Sequence, residues 1–100
     1  MPRKIRVATM SLEGKKGGSV EANRAMAMEI LDLMCADRPD IACLPETFTT
    51  IGMYAEVKRD GALAWSETVP GPTTDEAAKR AREYRTYVIC PVLRRDGDRA

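Results

Sequence analysis

The stretch "DIACLPETFTT", residues 40–50, combines the signs of a buried strand with an abrupt end to that strand. Its apolar run, 41–44, has no polar residue on either face, which is typical of a central parallel strand covered on both sides. Pro45 cannot donate a hydrogen bond to a sheet and ends the run. Glu46 follows directly. The stretch therefore predicts a central parallel strand whose carboxyl end carries an acidic side chain.

The segments around this strand predict two more strands and two helices. Ser19 is a helix N-cap, and the residue before Pro39 avoids helical backbone angles, so one helix lies between them. Thr73 and Glu76 have the spacing of a capping box and predict the start of another. The predicted elements are strands at 4–10, 41–44 and 87–93, a helix from Ser19 to the "DRPD" stop at 37–40, and a helix from Thr73. This β-α-β-α-β order is typical of an α/β fold with parallel pairing.

Two other segments shape the expected domain. Residues 47–72 contain three glycines and no clear period, and we predict a long irregular segment there. Asp96 and Gly97 follow the last predicted strand and form a hairpin-turn signal. No returning strand fits before Ala100. We therefore expect the chain to be cut within a hairpin and to be part of a larger domain.

Composition restricts the class of partner. The chain has 100 residues, enough for one core, and its sixteen Lys and Arg against fifteen Asp and Glu leave a net charge of +1. No overall field attracts nucleic acid or an anionic membrane, and no apolar run is long enough for a membrane span or a signal peptide. We expect a small-molecule substrate, no nucleic acid and no membrane partner. The three cysteines have no CxxC spacing, which predicts a reduced, cytoplasmic protein without a zinc site.

The chain contains no histidine, which excludes Ser-His-Asp and Cys-His catalysis by this chain alone. Among the remaining candidates, Glu46 has the most favourable position, because ligands of open α/β sheets bind at the carboxyl ends of the strands. A structural role, in which Glu46 caps a loop or pairs with an arginine, fits the position equally well. Cys43 and Cys90 lie in apolar runs and are interpreted as small buried hydrophobic residues.

Four segments of the chain carry a family resemblance when they are taken together. They are "IRVATMSLEG" at 5–14, the helix that contains Asn23, "DRPDIACLPETF" at 37–48 and "VPGPTTDEAAKRAREYRTYVICPVL" at 69–93. In this order they resemble the opening of the nitrilase superfamily, the carbon-nitrogen hydrolases. The most specific of them is the "LPETF" run at 44–48. The resemblance implies that residues 1–100 are the N-terminal segment of a single hydrolase domain. Its fold would be the β-α-β-α-β part of an αββα sandwich.

In that family a Glu-Lys-Cys triad cleaves nitrile, amide or carbamoyl C–N bonds through a cysteine thioester, without a cofactor. The resemblance implies that Glu46 is the general base. The lysine and cysteine motifs are not in this chain, so we expect the chain alone to be inactive and the parent protein to be the enzyme. Phe48 and Tyr54 are candidate substrate-binding residues in the loop after the site. The resemblance also implies a homo-oligomer, and the substrate subtype stays open.

Two alternatives belong to other functional classes. The run "ILDLMCADRPDIACL" at 30–44 also resembles the helix-strand unit of a phospho-receiver domain. Such a domain needs an acidic pair after its first strand and an aspartate after its central strand, whereas this chain has residues 9–12, "TMSL", and Pro45-Glu46 there. The other alternative is a small noncatalytic α/β module that binds a partner.

Overall fold

The computed structural model describes residues 3–12, 17–53 and 61–99. They form a small α/β domain with a three-stranded parallel sheet and helices, as the order of elements predicts. The elements are β1 (Val7–Thr9), α1 (Val20–Cys35), β2 (Ile41–Cys43), a 3-10 turn (Phe48–Thr50), α2 (Gly61–Trp65), α3 (Pro72–Tyr84) and β3 (Tyr87–Ile89). Each strand is shorter than its apolar run predicts.

The strands lie in the order β1-β2-β3, and both pairs are parallel, so β2 is central as predicted. A crossover between neighbouring parallel strands is almost always right-handed. Strands that follow one another across the sheet in chain order therefore receive both crossover helices, α1 and α3, on the same face. The core lies on that face, around Ala42 of β2, Leu31 of α1 and Ala77 of α3. Small alanine side chains allow the helices to approach the sheet closely.

The opposite face of the sheet carries apolar side chains that no described residue buries. In register, Val7, Ile41 and Tyr87 lie side by side across the three strands, and Ile89 lies one pleat further on. Val7 is 62% exposed, Tyr87 79% and Ile89 52%. The prediction that both faces of β2 are covered is thus confirmed for the face that carries the helices. Within the described residues, the other face has no covering element. Apolar side chains on both faces indicate burial but do not reveal what covers each face.

The boundaries of α1 agree with the prediction, and the start of α3 does not. Ser19 Oγ accepts a hydrogen bond of 3.0 Å from the Ala22 N–H, which is an ordinary N-cap. The prediction that α3 is capped by Thr73 is wrong, because Gly71 is the N-cap and Pro72 is the first helical residue. Proline suits that position because its φ angle is already helical and its missing N–H is not needed there.

The segment predicted as irregular, 47–72, contains regular elements among its described residues. It contains the 3-10 turn and α2, and residues 54–60 lie outside the described ranges. The predicted turn at Asp96 is confirmed: the backbones of Asp96 and Arg99 exchange hydrogen bonds of 2.7 and 3.0 Å. Gly97 has a φ of 63° in this turn, a conformation that glycine adopts readily. Within the described ranges, no helix combines the length and the apolar character that crossing a membrane requires.

Candidate functional site

Glu46 lies where the sequence places it, directly after the carboxyl end of the central strand. The Leu44 N–H still donates to the Ile89 carbonyl of β3, at 3.0 Å, and Pro45 then ends the pairing. The Glu46 side chain is exposed in the turn that follows. None of the hydrogen bonds or ion pairs between described residues includes its carboxylate. This carboxylate is therefore exposed and has no side-chain partner among the residues that the structure describes.

The backbone immediately after Glu46 is strained. Thr47 has φ 54° and ψ 25°, in the left-handed region, and it is a β-branched residue. Such a conformation costs about 1–3 kcal/mol and persists only where the surroundings enforce it. Here the Thr47 carbonyl accepts from the Thr50 N–H at 3.0 Å and from Thr50 Oγ1 at 3.2 Å. Phe48 and Thr49 are buried in the core beside it. The turn next to Glu46 is thus held in place by hydrogen bonds and buried side chains of the residues that follow Thr47.

A second anchor comes from Asn23, which lies in the first turns of α1 and is 0% exposed. Its Nδ2 donates to the Thr49 carbonyl at 3.0 Å and to the Ile51 carbonyl at 3.2 Å. Its Oδ1 accepts from the Gly17 N–H at 2.6 Å. In the sequence, Asn23 contributes only to the family resemblance. Its position on the apolar stripe of α1 is the signal that could have identified it, because a buried amide must find partners.

Glu67 is a second carboxylate of interest, and both of its oxygens accept hydrogen bonds. Its oxygens accept from the Thr73 N–H at 2.8 Å and from Thr73 Oγ1 at 2.7 Å. Arg24 of α1 pairs with it at 3.8 Å and donates to Thr73 Oγ1 at 2.9 Å. The side chain of Glu67 is 9% exposed. Because the N-cap Gly71 has no side chain, Glu67 supplies the acceptor that the start of α3 lacks.

A third polar cluster joins the middle of α1 to α3. Asp32 accepts from Arg80 Nε at 2.9 Å, from Arg80 Nη2 at 3.2 Å and from the Tyr84 hydroxyl at 3.0 Å. The hydrogen bond to Asp32 raises the pKa of Tyr84. A groove of about 570 Å³ lies between the two helices, bordered by Asp32 and Arg80 among others. The hydrogen bonds of this cluster connect α1 to α3. Glu46 does not border the groove.

The three cysteines are free thiols: Cys35 is buried, whereas Cys43 and Cys90, predicted as buried, are half-buried. Burial, and then the charge of Glu67, raise the pKa of Cys90 to about 11. Burial, and then Asp32, also raise the pKa of Cys35. A thiol of raised pKa is a poor nucleophile near neutral pH. Cys43 lies on β2, and its Sγ is 3.6 Å from the Leu44 carbonyl oxygen.

The two residues predicted to bind substrate have different outcomes. Phe48 belongs to the hydrophobic core and is fully buried, so its ring supports the turn behind Glu46. Tyr54 lies outside the described residues. A substrate-binding role stays a prediction for both. No group of three potential metal ligands occurs among the residues that the structure describes.

Comparison of the chain with models of known protein families, with curated proteins and with solved structures found no match.

Proposed function

We propose that this chain is the N-terminal part of a carbon-nitrogen hydrolase of the nitrilase superfamily and that Glu46 is its general base. The observation that carries the proposal is the exposed carboxylate of Glu46, which pairs with no described residue, beside a strained turn at the carboxyl end of the central parallel strand. Ligands of open α/β sheets bind at this end of the strands. Strained backbone of this kind is concentrated at functional sites.

In the proposed reaction, Glu46 takes the proton of a cysteine thiol, and the sulfur attacks the carbon of an amide, carbamoyl group or nitrile. A lysine stabilises the negative oxygen or nitrogen that develops. For an amide or a carbamoyl group, the C–N bond breaks, and the nitrogen leaves as ammonia or an amine with the proton that Glu46 held. A nitrile first gives a thioimidate, which takes up one water and then loses ammonia to give the thioester. Water then attacks the thioester and gives a proton to Glu46, and the acid and the thiol are released. The lysine and the cysteine belong to the parent protein outside this chain.

The open sheet face supports the finer fold proposal, an αββα sandwich. A face that carries Val7, Tyr87 and Ile89 at 62%, 79% and 52% exposure would lower its free energy by packing against another sheet. We assign that second sheet to the same hydrolase domain. The helix face of the domain would then be its outer layer. A homo-oligomer, as the family resemblance implies, is part of the same proposal.

The phospho-receiver alternative is less well supported. Flavodoxin-like proteins with that switch chemistry have the strand order 2-1-3, with the first strand inside the sheet. Here the order is β1-β2-β3, and β2 is the inner strand. A noncatalytic module would have no evident need for a strained turn that presents a free carboxylate. The hydrolase proposal gives the exposed carboxylate and the strained turn a role.

The test measures ammonia release by the natural gene product from propionitrile, propionamide, N-carbamoylglycine and glutamine. Glu46→Gln keeps the size of the side chain but cannot accept a proton, so the rate should fall by about 10²- to 10⁴-fold. Glu67→Gln is the matched control, since it removes a carboxylate that is used in structure, and its rate per folded molecule should stay near that of the wild type. Wild-type rates in Glu46→Gln, or no hydrolysis of any of the four compounds, would overturn the proposal.

A further inference from the structure

We propose that Asn23 is a positioning residue for this reaction, acting through the backbone that carries Glu46. The inference rests on the proposed function and adds a residue to it. Asn23 does not contact the reacting atoms in this account. Its amide instead holds the segment after β2 in the one arrangement that keeps Thr47 left-handed and directs Glu46 outward at the end of the strand.

The hydrogen bonds of Asn23 have the geometry of a clamp. Both carbonyls that it binds lie just after the strained residue, at Thr49 and Ile51, with Nδ2 at 3.0 and 3.2 Å from their oxygens. These carbonyls lie at the end of the 3-10 turn, where regular backbone pairing stops. A buried carbonyl without a partner costs about 1–3 kcal/mol, so release of the clamp would drive the segment to rearrange. The rearrangement would begin three residues after Glu46.

The same side chain also fixes the segment before α1. Asn23 Oδ1 accepts from the Gly17 N–H at 2.6 Å, and this contact requires a close approach. A Cβ atom at position 17 would lie 2.6 Å from the Ala22 Cβ and 2.9 Å from the Asn23 backbone nitrogen, so glycine is needed there. The segments after β1 and β2 both leave the carboxyl edge of the sheet. One buried amide therefore couples the two segments that border the proposed site.

Relaxation of Thr47 explains why loss of the clamp should affect chemistry more than binding. Thr47 would gain about 1–3 kcal/mol by leaving the left-handed region, and it is the residue next to the base. A shift of the base by about 1 Å can lower a rate by about 10²-fold. Substrate contacts made by other parts of the enzyme would persist. The expected signature is a fall in kcat with little change in KM.

The experiment is a double-mutant cycle on the natural gene product, with kcat and KM measured for propionamide or, if another of the four compounds above is hydrolysed faster, for that compound. Asn23→Asp keeps the acceptor for Gly17 but replaces the donor group that faces the two carbonyls. We expect kcat to fall by about 10-fold or more and KM to change by less than about 3-fold. In a Glu46→Gln background the same substitution should lower kcat by less than about 2-fold, because the base is already lost.

Thr73→Val is the matched control. Thr73 is as deeply buried as Asn23 and also hydrogen-bonded, but it belongs to the start of α3. Its effect on kcat should be the same in both backgrounds. If Asn23→Asp does not accumulate as folded protein, Asn23→Ala takes its place. Hydrogen exchange gives a readout that does not depend on activity: exchange at the Thr50 and Met53 amides, which bond to Thr47 and Thr50, should accelerate in the Asn23 variant and not in Thr73→Val.

Equal losses of kcat in the wild-type and Glu46→Gln backgrounds would overturn the inference and leave Asn23 a purely structural residue. Unchanged exchange at Thr50 and Met53 would overturn it as well. These failures are distinct from that of the proposed function, for which Glu46→Gln alone would retain wild-type turnover.

Discussion

Two glutamates of this chain lie in opposite environments, because one is exposed and the other is buried and hydrogen-bonded. Glu46 is exposed, and no described residue pairs with it. The Glu67 side chain is 9% exposed, accepts two hydrogen bonds from Thr73 and pairs with Arg24. A carboxylate whose oxygens are occupied cannot take a proton without loss of those contacts. The free carboxylate is therefore the candidate for chemistry, and the engaged one holds the fold together.

The residues that hold the surroundings of the two glutamates also differ, although both residues belong to α1. Asn23, a neutral amide, binds backbone carbonyls and sets the path of the turn after β2. Arg24, the next residue, is a cation that reaches the start of α3. A neutral amide can be buried completely once its hydrogen bonds are made, whereas a buried charge needs a counter-charge. The turn after β2 is thus held by a fully buried neutral amide, and the start of α3 is held by a cation paired with Glu67.

The largest effect on stability is expected for Phe48→Ala, which tests whether the Glu46 turn is part of the core. Removing a fully buried phenylalanine side chain should lower the free energy of unfolding by about 3–5 kcal/mol. Denaturant unfolding of the natural gene product measures this loss. Phe48→Leu is the milder companion and should fold, with KM for the preferred substrate unchanged. A raised KM in Phe48→Leu without loss of stability would instead assign Phe48 to substrate binding.

An intermediate effect on stability is expected for Glu67→Gln, which tests whether Glu67 stabilises the fold. Gln cannot supply the charged acceptor that Arg24 and Thr73 share, so the free energy of unfolding should fall by about 1–3 kcal/mol. Glu46→Gln changes an exposed residue and should stay within about 0.5 kcal/mol of the wild type. Equal losses in the two variants, measured by denaturant unfolding under the same conditions, would remove the distinction between the two glutamates.

The smallest effect at neutral pH concerns the thiol of Cys90, whose pKa is raised by burial and then by Glu67. Burial and the Glu67 charge raise the pKa of Cys90 from 9.0 to about 11, so the folded state holds the thiol proton more tightly than the unfolded state. This contribution to stability is complete below pH 9.0 and is lost as the pH rises through about 11. Cys90→Ala should therefore flatten the fall of stability with pH in this window. An identical fall in wild type and variant would contradict the raised pKa.

Much of the fold could be predicted because its signals are local. Ser19 caps α1 through a bond to Ala22, three residues away, and Pro39 marks the stop before β2. The unbroken apolar run at 41–44 indicated a central parallel strand, and Pro45 indicated where it ends. These features placed Glu46 correctly at the carboxyl end of the sheet.

What could not be predicted depends on distant partners. The carbonyls that Asn23 binds are 26 and 28 residues away along the chain, and no local pattern connects them. The start of α3 was misplaced because its acceptor, Glu67, lies outside the usual capping position. Nothing in a threonine predicts the left-handed backbone of Thr47, which tertiary contacts impose. Local rules thus located Glu46, and long-range hydrogen bonds hold the turn that follows it.

The most direct test of Glu46 as a base is the alkylation rate of individual cysteines by iodoacetamide in the natural gene product, followed by mass spectrometry. We predict a fast-reacting cysteine distinct from Cys35, Cys43 and Cys90, with a rate that falls by about 10-fold or more in Glu46→Gln because the thiol loses its proton acceptor. Glu67→Gln should leave that rate unchanged. Reaction at these three cysteines alone, or a fast cysteine whose rate is the same in Glu46→Gln, would contradict the account.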